Sequence, residues 1–142
     1  QYQHTEFGYN YRMTDISAAI GREQLKKLPN FNARRREIAE MYNSALSELV
    51  ITPKNRRGHV FHQYTIRCNK RDELREFLLN RKINTGIYYP TLLYNYQSMA
   101  DYQSSCPNAE TLIKEVLSLP VHPALSDSDV FEVISSIKAF FE

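Results

Sequence analysis

An α+β layer sandwich, with helices packed on a small and mainly antiparallel sheet, is the fold class this sequence predicts. Three observations point to it: helical periodicity in the first third and again at the end, a strand-rich run over 60–68, and alternation of short helices and strands between them.

The elements follow in order. Thr14 can cap a helix over 14–28, with Asp15 in its first turn and Ile16, Ala19 and Ile20 on one side, and Pro29 then interrupts. A second helix over 30–49 carries Phe31, Ile38, Met41, Tyr42, Ala45 and Leu49 as a stripe, with Arg34, Arg35, Arg36, Glu37 and Glu40 largely outside it. Residues 50–52 and 60–68 read as two strands of an antiparallel hairpin around a 53–58 turn that holds Lys54, Arg56 and Arg57. A short helix starts at Asn69 or Lys70 and ends at Arg81, burying Leu74, Phe77 and Leu78, and 83–89 returns as a strand before Pro90. Residues 91–106 show no period and read as an irregular surface excursion, the kind of long loop that often carries function. A helix over 108–117, a short apolar stretch at 119–121 and a last helix capped by Ser126, with Val130, Val133, Ile134, Ile137 and Phe140 inward, complete the chain.

Composition narrows the function classes. A chain of 142 residues fits one domain with a core of its own, and no apolar run approaches the roughly 20 residues that a membrane helix needs. The opening residues Gln1, Tyr2, Gln3 and His4 have neither the basic start nor the apolar run of a secretion signal, so cytoplasm is the expected location and no membrane contact is expected. A net charge of +2 does not favour nucleic acid. Cys68 and Cys106 lack metal-knuckle or redox spacing and read as reduced thiols, and no metal set is expected. Ten tyrosines and no tryptophan stand out, with Tyr2, Tyr9 and Tyr11 early and Tyr88, Tyr89, Tyr94, Tyr96 and Tyr102 late. Tyrosine buries a ring while its hydroxyl stays wet, which suits a cleft or a subunit contact, although scattered surface positions explain it equally.

Three stretches carry a family likeness. The string Gly8-Tyr9-Asn10-Tyr11-Arg12-Met13-Thr14-Asp15 is followed by Ala18-Ala19-Ile20-Gly21 and by Gln24-Leu25-Lys26-Lys27-Leu28. Gly86-Ile87-Tyr88-Tyr89-Pro90 comes later, and Leu117-Ser118-Leu119-Pro120-Val121-His122-Pro123 precedes the last helix. In order and spacing these resemble the C-terminal part of the DegT/StrS family of sugar aminotransferases, and the string over 8–15 is the most specific of them. The resemblance implies the small domain of the type I pyridoxal-phosphate fold. Residues 1–13 would then lie near the dimer interface, 14–49 would form a helical pair and 50–142 the sandwich, with the large cofactor-lysine domain absent.

The same likeness implies a homodimeric parent that moves an amino group from an amino acid to a nucleotide-linked keto sugar with pyridoxal 5'-phosphate. That chemistry needs a lysine amine for imine formation and proton transfer. None of Lys26, Lys27, Lys54, Lys70, Lys82, Lys114 or Lys138 sits in a setting similar to the family's Schiff-base lysine. No catalytic residue is therefore assigned, and the isolated chain is expected neither to bind the cofactor nor to transaminate.

What remains is positioning. The resemblance implies that Asn10 reaches the cofactor phosphate of the opposite subunit; read on its residues alone, Asn10 could equally fix a loop or satisfy backbone groups. Arg12 faces either an anionic group or Asp15, as an ion pair at the helix start. Tyr88 and Tyr89 would border the substrate, with Tyr88 at a position where the family commonly has histidine and Tyr94 beyond the loop's proline; a packed loop is the other reading. His59, His62 and His122, like His4, read as structural residues for want of a partner. The arginine run reads as a solvated or dimer-facing surface beside Glu37 and Glu40. A stand-alone α+β regulatory or interaction domain is the alternative function, and a nucleic-acid module a third.

Overall fold

The computed structural model describes residues 5–142; Tyr2 and His4, named above, lie outside the described residues. Its elements are α1 (Asp15–Leu46), β1 (Tyr64–Arg67), α2 (Arg71–Asn80), α3 (Pro107–Glu115), β2 (Val116–Leu119) and α4 (Asp127–Phe141). The α+β class is borne out: β1 and β2 pair antiparallel, with Tyr64 opposite Leu119 and Arg67 opposite Val116, and helices complete the core.

Helix α1 corrects the expectation of two helices, because it runs unbroken through Pro29 for 32 residues. Proline in a helix interior forfeits one hydrogen bond and crowds the carbonyl four residues back. That carbonyl belongs to Leu25, in an exposed stretch where water can take it. Thr14 caps α1 as expected, its hydroxyl oxygen accepting the Ser17 N–H at 3.2 Å. The two halves of the helix live differently. Ile38, Ala39, Tyr42 and Leu46 are buried, whereas Ile16, Ile20, Leu25 and Leu28 face outward, Ile16 with 76% of its surface exposed.

The buried half of α1 shares one core with Leu74 and Leu78 of α2, Val130, Val133, Ile134 and Ile137 of α4, and Tyr64, Ile66, Leu117 and Leu119 of the sheet. Phe77 and Phe140, expected inside, are half-buried and meet edge to face at 5.3 Å. Ser126 and Asp129 form a capping box at the start of α4, and this holds the Asp129 carboxylate below its usual range.

Strand pairing is sparser than the sequence suggests. Residues 50–52 add only the antiparallel bridge from Ile51 to Arg67, and 83–89 only the bridge from Gly86 to Ser118. The order across the sheet is thus Ile51, β1, β2, Gly86. The third helix stops at Glu115, two residues before the predicted end, because Val116 to Leu119 are claimed by β1. Buried Arg71 clamps this junction, donating Nη1 to the carbonyls of Ile113 and Val116 at 3.2 and 3.3 Å. The 91–106 excursion contains two single 3-10 turns, Leu93–Asn95 and Gln97–Met99.

Candidate functional site

Two clusters hold the residues singled out above. The first is the arm before α1. Its backbone makes two tight turns, Tyr9 accepting from the Tyr11 N–H at 2.9 Å and Asn10 from the Arg12 N–H at 3.0 Å. These turns bring the Tyr9 and Tyr11 rings into a stack at 5.4 Å and leave Asn10 and Arg12 exposed. The ion pair expected between Arg12 and Asp15 is not among those formed by the described residues. The helix start is served instead by the Thr14 hydroxyl, and Asp15 remains in the first turn, where the helix dipole favours a negative charge. Asn10 and Arg12 thus offer an amide and a guanidinium outward, donors suited to phosphate oxygens.

The second cluster lies at the Gly86 edge of the sheet. A cavity of about 350 Å³ is lined there by His62, Gln63, Asn84, Thr85, Tyr88 and Pro120, among others. Gly86 permits it: a Cβ at that position would stand 2.5 Å from the Tyr88 ring, so the ring lies directly over the glycine. Tyr88 and Tyr89 meet edge to face at 5.9 Å, and Tyr89 projects beyond the cavity with 73% of its surface exposed. Pro120 is fixed from the core, where the buried Tyr42 phenol donates to its carbonyl at 2.8 Å. His62, a structural residue by its sequence setting, lines this cavity together with Gln63, Asn84 and Thr85, which lie outside the three motifs. The polar run Asn84-Thr85 directly before Gly86 was the available signal, whereas the convergence of His62 depends on strand pairing across β2.

No hydrogen bond or ion pair among the described residues joins Asn10 or Arg12 to the Tyr88 cluster. Within one chain these are two separate clusters.

Other candidates resolve into structure. His59 Nδ1 accepts the Phe61 N–H at 2.9 Å, and His122 Nδ1 accepts the Ala124 N–H at 3.1 Å, so both imidazoles close local turns. Arg34 is spent on Leu125 O, Asp127 and Glu37, and Arg35 on Asn32, which leaves no continuous basic face on α1. A wider groove of about 650 Å³ at the opposite sheet edge includes Arg67, Cys68 and Lys70. There Glu115 pairs with Arg67 at 2.7 Å, and burial pushes the Cys68 thiol up, away from its nucleophilic form. No group of three or more His, Cys, Asp or Glu suited to a metal occurs among the described residues, nor does any helix long and apolar enough to cross a membrane.

The donor set fits pyridoxal phosphate only in part. Asn10 and Arg12 suit its phosphate, but all seven lysines are solvent-exposed and none lines the Tyr88 cavity, so these residues do not supply the amine that would hold its aldehyde.

Comparison with known proteins agrees with the likeness drawn from the three motifs. The chain is 39% identical over 150 aligned residues to the Pleiotropic regulatory protein of Geobacillus stearothermophilus, covering 99% of this chain and 40% of that protein. It is 36% identical over 148 residues to GDP-perosamine synthase of Escherichia coli O157:H7, covering 99% of this chain and 40% of the synthase. Among solved structures, S. venezuelae DesV in complex with a ketimine intermediate superposes with a TM-score of 0.90 at 33% identity, over 100% of this chain and 40% of DesV. The chain therefore spans about 40% of the length of the relatives it matches. The pattern of the DegT/DnrJ/EryC1/StrS aminotransferase family matches residues 1–138, and the chain belongs to that family.

Proposed function

We propose that this chain is the C-terminal domain of a cytoplasmic, homodimeric aminotransferase that uses pyridoxal phosphate to aminate nucleotide-linked keto sugars, and that the domain closes the active site without catalysing the reaction itself. In this reading residues 1–13 lie at the dimer interface, 14–49 join the arm to the body, and 50–142 form the body that covers the site. The cofactor lysine comes from a separate large domain of the same polypeptide.

The observation that carries the reading is the row of exposed apolar side chains from Phe7 through Tyr9, Tyr11, Met13, Ile16 and Ile20 to Leu28. A surface of that extent is characteristic of a covered interface. The separation of the two clusters supports a shared site, with Asn10 and Arg12 of one subunit serving the phosphate held by the other. The cofactor supplies electron withdrawal from the substrate amine carbon when bound. This domain's own residues position: Asn10 and Arg12 donate to phosphate, Tyr88 and Tyr89 wall the sugar, and His62 and Asn84 offer polar atoms to its hydroxyls. The likeness to GDP-perosamine synthase supports a nucleotide-linked sugar.

The test compares the 142-residue chain with a protein in which it is joined to the lysine-bearing domain. The joined protein is expected to hold the cofactor and transfer the glutamate amino group, and the short chain to do neither. Turnover by the short chain would refute the division of labour. The likeness to a protein named as a pleiotropic regulator favours one second reading, an interaction domain. That reading requires partner binding that survives replacement of Asn10 and Tyr88, whereas the enzymatic reading requires loss of amino transfer on the same replacements.

A further inference from the structure

We propose that Glu110 of α3 is a positioning residue that latches the tyrosine-bearing edge of the sugar wall in place through Tyr94, a proposal that rests on the functional reading above.

The segment carrying Tyr88 and Tyr89 is fastened at its two ends. At one end Gly86 exchanges both backbone hydrogen bonds with Ser118 of β2, at 3.0 and 2.7 Å. At the other end the Tyr94 hydroxyl donates to Glu110 Oε1 at 2.9 Å. Between them, no side-chain hydrogen bond ties residues 87–93 to the rest of the described chain. Both fastenings stand on one unit, because α3 passes directly into β2 at Glu115 and Val116 and Arg71 clamps that junction. Tyr88 and Tyr89 are thereby framed by a single rigid piece rather than by two elements able to drift apart.

Glu110 also gathers the returning end of the excursion. Its Oε1 accepts the Cys106 N–H at 3.2 Å and the Ser105 hydroxyl at 3.5 Å. An ionised carboxylate oxygen can accept several donors, and bonds to it are stronger than neutral ones. Burial, and then the neighbouring Glu110 carboxylate, raise the Tyr94 phenol above its ordinary value, so it remains a donor at neutral pH. One oxygen thus closes both the outgoing and the returning strand of the excursion, where an open loop would retain its conformational freedom.

Helix capping competes as an explanation, since Cys106 offers no side-chain cap to α3 and Glu110 takes its N–H. Tyr94 separates the two roles, because removing its hydroxyl leaves the contact between Glu110 and Cys106 in place. The experiment uses the full-length enzyme with Tyr94→Phe, Glu110→Gln and Glu110→Ala. In Tyr94→Phe, exchange of the Asn95 and Tyr96 amides, which donate to the Leu92 and Leu93 carbonyls, is expected to accelerate about tenfold while exchange over 107–115 is unchanged, as the loss of one charge-assisted hydrogen bond implies. KM for GDP- and UDP-linked keto hexoses is expected to rise about tenfold with kcat unchanged, the mark of lost ground-state positioning. Glu110→Gln, which keeps an acceptor, should fall between wild type and Glu110→Ala. Unchanged exchange at Asn95 and Tyr96, or an unchanged KM for the sugar, in Tyr94→Phe overturns the latch. If Glu110→Ala fails to fold, the tyrosine variant alone decides. If the wild-type enzyme aminates none of these sugars, the functional reading fails, and the exchange measurement still decides the latch.

Discussion

Replacing Tyr42 by phenylalanine isolates one hydrogen bond on which the cavity wall depends. The ring is fully buried against Tyr64 at 5.0 Å, and its hydroxyl donates to the Pro120 carbonyl at 2.8 Å. Phenylalanine keeps the ring packing and removes only the donor. The expected cost is the net value of one hydrogen bond, about 1 kcal/mol. Tyr42→Ala adds the loss of the whole buried ring and is expected to cost about 3–5 kcal/mol. In a chain of 142 residues the milder change lowers the melting temperature by about 3–4 °C. Urea unfolding of the three proteins gives the free energies directly, with an unchanged slope on denaturant confirming that only stability moved. A Tyr42→Phe protein as stable as wild type, or as unstable as Tyr42→Ala, would refute the reasoning that separates hydroxyl from ring.

Three further outcomes follow from the geometry. Burial raises the phenols of Tyr42 and Tyr64 above the ordinary tyrosine value near 10. The unfolded chain therefore releases protons first, and stability present below pH of about 10 falls as pH rises beyond it; alkaline denaturation of Tyr64→Phe should show a shallower fall, and an identical curve would count against the burial argument. Gly86→Ala is expected to push the exposed Tyr88 ring aside, weakening sugar binding roughly tenfold while costing about 1 kcal/mol or less in stability; a crystal structure with Tyr88 unmoved would contradict it. Asn10→Ala in the full-length enzyme should weaken cofactor retention by on the order of 1–3 kcal/mol, measured by dialysis against phosphate, and unchanged retention would remove Asn10 from the site.

Features set by short-range chemistry were legible in the sequence. Thr14 and Ser126 cap the helices they were expected to cap, and the stripe Val130, Val133, Ile134 and Ile137 is buried. Features set by solvent exposure or by partners distant in the chain were not. Pro29 obeys a local rule that predicts a break, yet the exposed setting of Leu25 lets the helix continue. Val116 and Leu117 fit a helical period, but pairing with Arg67 and Ile66 draws them into the sheet. The site divides the same way. Tyr88 and Gly86 announce themselves through one motif, while His62 joins the cavity because β1 and β2 pair, as Tyr64 does with Leu119 far along the chain.

Helix α1 spans two settings. At 1.5 Å per residue its 32 residues reach about 48 Å, with Pro29 near the middle as the point where one backbone tie is missing. The outer arm of this rod carries the exposed Ile16, Ile20, Leu25 and Leu28, and the inner arm ends at Tyr42 and Leu46, where Tyr42 holds Pro120. One rod thus carries an exposed apolar face at its outer end and, at its inner end, a hydrogen bond to the rim of the Tyr88 cavity.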